Sequence, residues 1–216
     1  MQVVAQMRRE MFVHFAAICG KWLMRFSAVL LAGGKSSRMG CDKAALVVDG
    51  EPLWRRQLAV LRATGAAEVF ISGKADGPYA GAGVEIVGDV RSESGPLGGI
   101  AAALRRCGEE WLLVLAVDMP AMTVDFLCSL TDAARKDAGV VPVTDRIQPL
   151  AALYPCAALE TAETFLRDGR RKMESFVDEL LARSLVRRLD VPATQRPLFT
   201  NWNTPGDIAG GQLAPK

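Results

Sequence analysis

Histidine is nearly absent: the 216 residues contain one, His14, outside any catalytic pattern. Triads that need an imidazole, and most histidine metal sites, have no raw material in the body of the chain. Cysteines are few, odd in number and scattered (Cys19, Cys41, Cys107, Cys128, Cys156). With no C-x-x-C pair they supply neither a disulfide framework nor a zinc site, and a reducing cytoplasm is the expected setting. Charge of one sign is not in excess: a net charge of +2 is too small to argue for wholesale nucleic-acid binding. Residues 1–26 are basic and apolar, but His14, Gly20 and Lys21 interrupt the apolar part, which is too short and broken to span a membrane. Arg8 and Arg9 precede it as in a signal peptide, yet no small-residue cleavage site follows. Chemistry must come from carboxylates, lysine, arginine, backbone amides and a bound hard cation.

What is present is a chain half of whose residues are hydrophobic, rich in Ala, Val, Leu and Gly, with 6% aromatics. That mix suits alternating strands and helices in one α/β domain. SAVLLA (27–32) is a continuous apolar run, as expected for a strand buried on both faces. PLWRRQLAVLRATG (52–65) carries Leu53, Trp54, Leu58 and Leu61 at helical spacing, with Pro52 in the first turn and Gly65 at the stop. EVFIS (68–72) and VEIVG (84–88) read as strands, GPLGGIAAALRRCG (95–108) as a helix, and WLLVLAV (111–117) as a fourth strand. VDFLCSLTDAARKDAG (124–139) reads as a helix with Thr123 as N-cap and Gly139 as C-cap. GVVPV and PLAALYP are short strands, helices follow near 156–167 and 171–184, and VRRLDV (186–191) is an edge strand. This order predicts a mostly parallel sheet covered on both sides. The domain is expected over 27–210, with residues 211–216 a tail. Residues 1–26 are expected to be an extension, or an initiation site placed too early, with Met24 three residues before the first strand. An amphipathic helix docked on the domain or on a partner is the alternative.

Such sheets bind ligands beyond the carboxyl ends of their strands. After the first strand comes Ala32-Gly33-Gly34-Lys35-Ser36-Ser37-Arg38-Met39-Gly40-Cys41-Asp42-Lys43. Its glycines suit a nest of amides around an anion, and Lys35, Arg38 and Lys43 add positive charge. It is neither a Walker A loop nor the G-x-G-x-x-G fingerprint. After the third strand come Asp89 and the loop Ser94–Gly99. After the fourth comes Asp118, a carboxylate badly placed for a core and well placed for Mg²⁺, which takes one or two protein carboxylates together with phosphate oxygens. Thr123 fills the cap role that Asp118 would otherwise be assigned. The clusters Arg105-Arg106, Arg170-Arg171-Lys172 and Arg187-Arg188 are either solvated helix ends and faces or contacts for an anionic substrate. Phosphates, cations and a metal carboxylate together suit transfer between phosphates by positioning and charge neutralisation.

LLAGGKSSRMGCDK (30–43) resembles the signature of the molybdenum cofactor guanylyltransferases, within the wider nucleotidyltransferase superfamily. The resemblance runs from about Ser27 to Ile208 and takes in SGPLGG (94–99), VDMP (117–120), GRRKMESFV (169–177) and FTNWNTPGDI (199–208). It implies a three-layer, Rossmann-like α/β fold and transfer of GMP from GTP to the terminal phosphate of molybdenum-bearing molybdopterin, with Mg²⁺ required and pyrophosphate released. LAGG with GPLGG and NWNTP points to the guanylyl branch. Carried over by position, the resemblance implies that Leu31, Ala32, Gly33, Gly34, Lys43, Ser72, Asp89, Pro96, Leu97, Gly98 and Asp118 form the nucleotide site. It implies catalytic roles for Lys43, Arg38 and Asp118, with Asp118 holding the metal. Arg170, Arg171, Lys172, Asn201 and Asn203 fall on the pterin side. Cofactor-insertion and molybdoenzyme chaperone proteins are the implied protein partners, with no nucleic acid and no membrane.

One departure bears on the base: the family often carries an asparagine just after its second strand, where this chain reads ISGKAD and Ser72 holds the nearest position. The loop before Lys43 also looks one residue shorter than in some relatives. Two other readings stay open at this point. One is a cytidylyl or sugar-phosphate nucleotidyltransferase of the same superfamily, and the other a nucleotide-binding module without turnover.

Overall fold

A computed structural model of the chain describes residues 24–33, 43–48, 50–79, 81–88 and 94–202. Seven strands form one sheet: β1 (Ser27–Leu31), β4 (Glu68–Ser72), β5 (Glu85–Val87), β6 (Trp111–Ala116), β7 (Gly139–Val143), β8 (Ala151–Pro155) and β9 (Val186–Asp190), in the order β5-β4-β1-β6-β8-β7-β9. β2 (Val47–Val48) and β3 (Glu51–Pro52) make a separate two-stranded antiparallel ribbon. β1 runs parallel to both β4 and β6, with Leu31 level with Ser72 and with Ala116. β5 is parallel to β4 and β9 to β7, whereas β8 is antiparallel to both of its neighbours. The expected mostly parallel sheet is present, with one reversed strand inside it.

The continuous apolar runs of β1 and β6 are buried over their whole length, because each faces helices on both sides. Alternate residues divide between two cores. Ala28 and Leu30 with Trp111, Leu113 and Leu115 join one, and Val29 and Leu31 with Leu112 and Val114 join the other. Helix α1 (Leu53–Ala63) and α3 (Val124–Ala133) cover the first face, together with Phe199 and Trp202 of the chain's last described stretch. Helices α2 (Gly95–Arg106), α4 (Ala158–Arg167) and α5 (Met173–Ala182) cover the second. In α1 the buried face holds Leu53, Trp54, Leu58 and Leu61, the apolar stripe read from the sequence, and adds the polar Gln57. No helix among the described residues is long and apolar enough to cross a membrane.

One helix end differs from the expectation. Thr123 caps α3 as predicted, its hydroxyl accepting from the Phe126 N–H at 3.3 Å, but the helix stops at Ala133 and not at Gly139. Ala134 turns to an extended conformation (ψ 155°), and the Arg187 guanidinium donates to the Ala133 carbonyl, satisfying an open helix end from β9. Gly139 opens β7. A Cβ there would lie 2.2 Å from the Leu153 carbonyl oxygen of β8, so this glycine serves a close strand approach and caps nothing.

Candidate active site at the carboxyl ends of the strands

The carboxyl ends of β4, β1 and β6 lie side by side and are bonded together beyond the sheet. Ala32 and Gly33 both donate their N–H groups to the Ser72 carbonyl, each at 2.9 Å, and Val117 donates to the Leu31 carbonyl at 3.0 Å. Gly73 in turn donates to Val87 at 3.2 Å, which brings the end of β5 into the same row. Tyr79, buried edge-on against Trp54, donates its hydroxyl to the Ala32 carbonyl at 3.1 Å. The amides of Ala32 and Gly33 are therefore engaged within the protein. Together with Leu31 these two residues form the end of the β1 wall, and only Gly33 of the three is exposed.

The glycines of this wall keep elements close. A Cβ on Gly73 would stand 2.8 Å from the Tyr79 hydroxyl oxygen, and one on Gly99 would stand 2.4 Å from Ser72 Oγ. Ser72 is thus buried against the first turn of α2, and its hydroxyl lies under that turn. Of the loop that enters α2, Gly95 takes a left-handed conformation (φ 62°) that favours glycine, and Pro96 is exposed. Leu97 is a fully buried member of the second core and Gly98 is buried too, so the Leu97 side chain is committed to packing.

Asp118 follows β6 and is partly exposed. Its main chain is held from two sides. The Trp202 N–H donates to the Asp118 carbonyl at 2.9 Å, which docks the FTNW stretch beside this strand end. From α1, the fully buried Gln57 donates its amide to the Met119 carbonyl. Two buried side-chain oxygens near this turn, Gln57 Oε1 and Asn201 Oδ1, have no hydrogen-bond partner among the described residues. Buried polar atoms are normally satisfied, which singles out Asn201 Oδ1, one residue from the Trp202 contact. Gln57 escapes a search for apolar periodicity because it is polar. Its place between Trp54 and Leu58 on the buried stripe is the signal that finds it.

The basic tract reaches the same end of the molecule through topology. β8 runs against β6, so Pro155 lies opposite Trp111 at the amino end of that strand, and α4 carries the chain back toward the carboxyl ends. Arg170, Arg171 and Lys172 follow α4 and are exposed. The Arg170 guanidinium lies 3.7 Å above the Phe165 ring centroid, a cation–π contact that fixes this side chain against the core. Gly34, Arg38, Asp89 and Asn203 lie outside the described residues, and so does the side chain of Lys43, whose backbone opens a 3₁₀ turn at Lys43–Ala45.

Metal fit rests on Asp118. Among the described residues no group of three or more His, Cys, Asp or Glu side chains converges to hold an ion, so a cage made wholly of protein is not offered there. Asp118, partly exposed at the end of β6, is of the donor type that Mg²⁺ takes together with phosphate oxygens.

A model of the MobA-like NTP transferase domain matches residues 28–186. A protein of Opitutus terrae named "Probable molybdenum cofactor guanylyltransferase" is 44% identical over 185 residues, covering 84% of this chain and 92% of the relative. The molybdenum cofactor guanylyltransferase of Xanthomonas euvesicatoria pv. vesicatoria is 37% identical over 182 residues, covering 83% and 90%. In three dimensions the chain is similar to molybdopterin-guanine dinucleotide biosynthesis protein A of Archaeoglobus fulgidus. That comparison gives a TM-score of 0.67 at 24% identity, over 85% of this chain and 95% of the other. The strand order, the glycine-lined crevice and these matches agree, and the chain belongs to the MobA-like NTP transferase family.

Proposed function

We propose that this protein is a molybdenum cofactor guanylyltransferase, transferring GMP from GTP to the phosphate of molybdenum-bearing molybdopterin and releasing pyrophosphate. The observation that carries the reading is the partly exposed Asp118 at the end of β6, its carbonyl held by the Trp202 N–H and the carbonyl of the next residue, Met119, by Gln57, in a chain 44% identical to a relative named for that activity. An acceptor phosphate oxygen forms a bond to the α-phosphorus as the bond from that phosphorus to pyrophosphate breaks. No proton relay through histidine is required, in keeping with a chain whose one histidine is His14.

The protein's part in that exchange is alignment and charge. Gly33 and the ends of β1 and β4 form a wall against the nucleotide, and Gly34 with the loop after it supplies amides to the phosphates. Lys43 and Arg38 neutralise charge on the phosphates and the departing pyrophosphate. Asp118 would hold Mg²⁺, which when bound together with phosphate oxygens supplies further charge stabilisation. The guanine is read by Asp89 and the backbone around Pro96, Leu97 and Gly98. Ser72 supports that loop from beneath through Gly99 and does not itself read the base. Asn201 Oδ1, without a partner among the described residues, accepts from the pterin, and Asn203, Arg171 and Lys172 contribute on the same side. The cytoplasm is the proposed setting, and partners that deliver or receive the pterin cofactor are proposed with it.

Purified protein with GTP, Mg²⁺ and molybdenum-loaded molybdopterin is expected to release pyrophosphate and form a guanine dinucleotide product. Pyrophosphate release with CTP and none with GTP would overturn the guanylyl assignment. Absence of turnover with either nucleotide, in protein that binds GTP, would make the chain a binding module.

A further inference from the structure

At the opposite end of the sheet from this crevice, two cysteines meet that the proposed transfer does not use. Cys107 follows α2, its N–H donating to the Ala103 carbonyl at 2.9 Å. Cys156 follows β8, its N–H donating to the Glu110 carbonyl at 2.8 Å, which extends the β6–β8 pairing past Trp111 and Pro155. Both backbones are therefore fixed. Both thiols converge on one acceptor, the Glu109 carbonyl, at 3.1 Å from Cys107 Sγ and 2.9 Å from Cys156 Sγ. Both side chains are partly exposed, so a small reagent can reach them.

We propose that Cys107 and Cys156 form a redox-active dithiol that undergoes exchange with a low-molecular-weight disulfide and closes to an intramolecular disulfide. A thiol has one proton, so the pair has two arrangements. With both protonated, each aims at Glu109. When Cys107 ionises, the Cys156 proton turns to its sulfur. That hydrogen bond holds the Cys107 thiol down to about 6, against burial and the charge of Glu68, and the same contact with burial pushes Cys156 up. The other charged groups around the pair are Glu110, beside Cys156, and Glu109, whose carboxylate is ion-paired with Arg25 at 2.7 Å. Glu68 is itself engaged, accepting from the Ser27 hydroxyl at 2.8 Å and the Gly108 N–H at 3.0 Å.

The exchange runs in two balanced steps. The Cys107 thiolate attacks one sulfur of the small disulfide, whose S–S bond breaks and whose other half leaves as a thiolate. Cys156 then gives its proton to solvent and attacks Cys107 Sγ, and the mixed disulfide breaks with departure of the second small thiol. Two protein thiols are oxidised and one small disulfide is reduced to two thiols. An attacking thiol with a pKa near ambient pH and a neighbouring thiol to resolve the adduct are the two requirements for this chemistry.

The test treats folded, full-length protein with oxidised glutathione, blocks remaining thiols, and maps the digest by mass spectrometry. The expected result is a peptide pair joined through Cys107 and Cys156, about 2 Da lighter than the two reduced peptides together and reversed by dithiothreitol. Cys156→Ser is expected to stop at a glutathione adduct on Cys107. Brief alkylation of the untreated protein at pH 7 should label Cys107 at least about tenfold faster than Cys128, a thiol pushed up by burial and by Asp132 and Asp125. Equal labelling rates, or oxidation that joins other cysteines and leaves Cys107 and Cys156 apart, would overturn the proposal. The wild-type measurements stand alone if the serine variant fails to fold.

Discussion

Ser72 and Gly99 touch: a Cβ on Gly99 would lie 2.4 Å from Ser72 Oγ and 3.2 Å from Ser72 Cβ. The end of β4 and the first turn of α2 are as close as they can come without a side chain on the helix. Leu31 Cδ2, 3.1 Å from the same point, closes the space from β1. Serine is short and buried, so it cannot swing clear.

Gly99→Ala should therefore push α2 off the sheet, at a cost of about 1–3 kcal/mol, the range for overpacking a filled core. Equilibrium urea unfolding measures it. Adding Ser72→Gly should restore part of the loss, because the added methyl then has room. A Gly99→Ala variant as stable as the parent would show that the helix is free to shift. By the same reasoning Ser72→Asn should destabilise, because the larger side chain has no room beside Gly99.

Gln57 links α1 to the turn after β6, donating to the Met119 carbonyl from a fully buried position. Gln57→Met preserves bulk and removes the donor, and the Met119 carbonyl then keeps one partner, the Met122 N–H at 3.1 Å. The expected cost is about 0.5–1.5 kcal/mol, the net worth of one hydrogen bond, reduced because the substitution also removes Oε1, which has no partner among the described residues. Met119 follows Asp118, so the Mg²⁺ concentration giving half-maximal turnover should rise roughly tenfold, the low end for groups that orient a metal ligand. An unchanged Mg²⁺ requirement would confine Gln57 to stability.

How much of this was legible in the sequence follows from what leaves a periodic trace. The strands at 27–31, 68–72 and 111–116 are apolar runs bounded by turn residues, and helix α1 repeats Leu53, Trp54, Leu58 and Leu61 on one face. Both signals follow from burial and were read directly. Reversal of β8 leaves no such trace, because a strand inside a two-sided core is apolar whichever way it runs. Gly139 was read as a helix stop for want of knowledge that Leu153 approaches it from β8. Asp118 stands out in the sequence because a carboxylate ending an apolar strand is badly placed for a core. Gln57, Asn201 and the Cys107–Cys156 pair were not assigned these contacts, since each acquires its meaning from a partner distant in sequence.

The two thiols also set a dependence of stability on pH. Cys107 is lowered in the folded protein from its ordinary 9.0 to about 6. Between those values the unfolded chain binds the proton that the folded one has released, so stability should rise with pH from about 6 to 9 and be lost as pH falls through 6. Cys156 is raised, chiefly by the hydrogen bond to Cys107, so above 9 its contribution has the opposite sign. Thermal midpoints of the reduced protein across pH 6–10 should pass through a maximum near 9, apart from the background titration of other groups. The Cys107→Ser variant should lack the rise between 6 and 9, and an identical profile in that variant would show that the pair does not ionise as described.

Asp118→Asn separates folding from chemistry at the crevice. The contact that docks Trp202 is made to the Asp118 main-chain carbonyl at 2.9 Å, and the Gln57 contact is made to the carbonyl of Met119. Neither uses the carboxylate, the side chain is partly exposed, and an amide of the same shape still offers an acceptor oxygen there, so the thermal midpoint should move little. What it removes is the negative charge that would hold Mg²⁺ against the nucleotide phosphates. Turnover should fall by about a hundredfold or more, the scale for loss of one strong electrostatic contribution to a transition state, and excess Mg²⁺ should recover little of it. Near-normal pyrophosphate release from a folded Asp118→Asn protein would remove this residue from the mechanism and direct the search for the metal ligand to Asp89. A variant that lost its thermal midpoint along with its activity would instead show that the carboxylate has a structural bond at this turn.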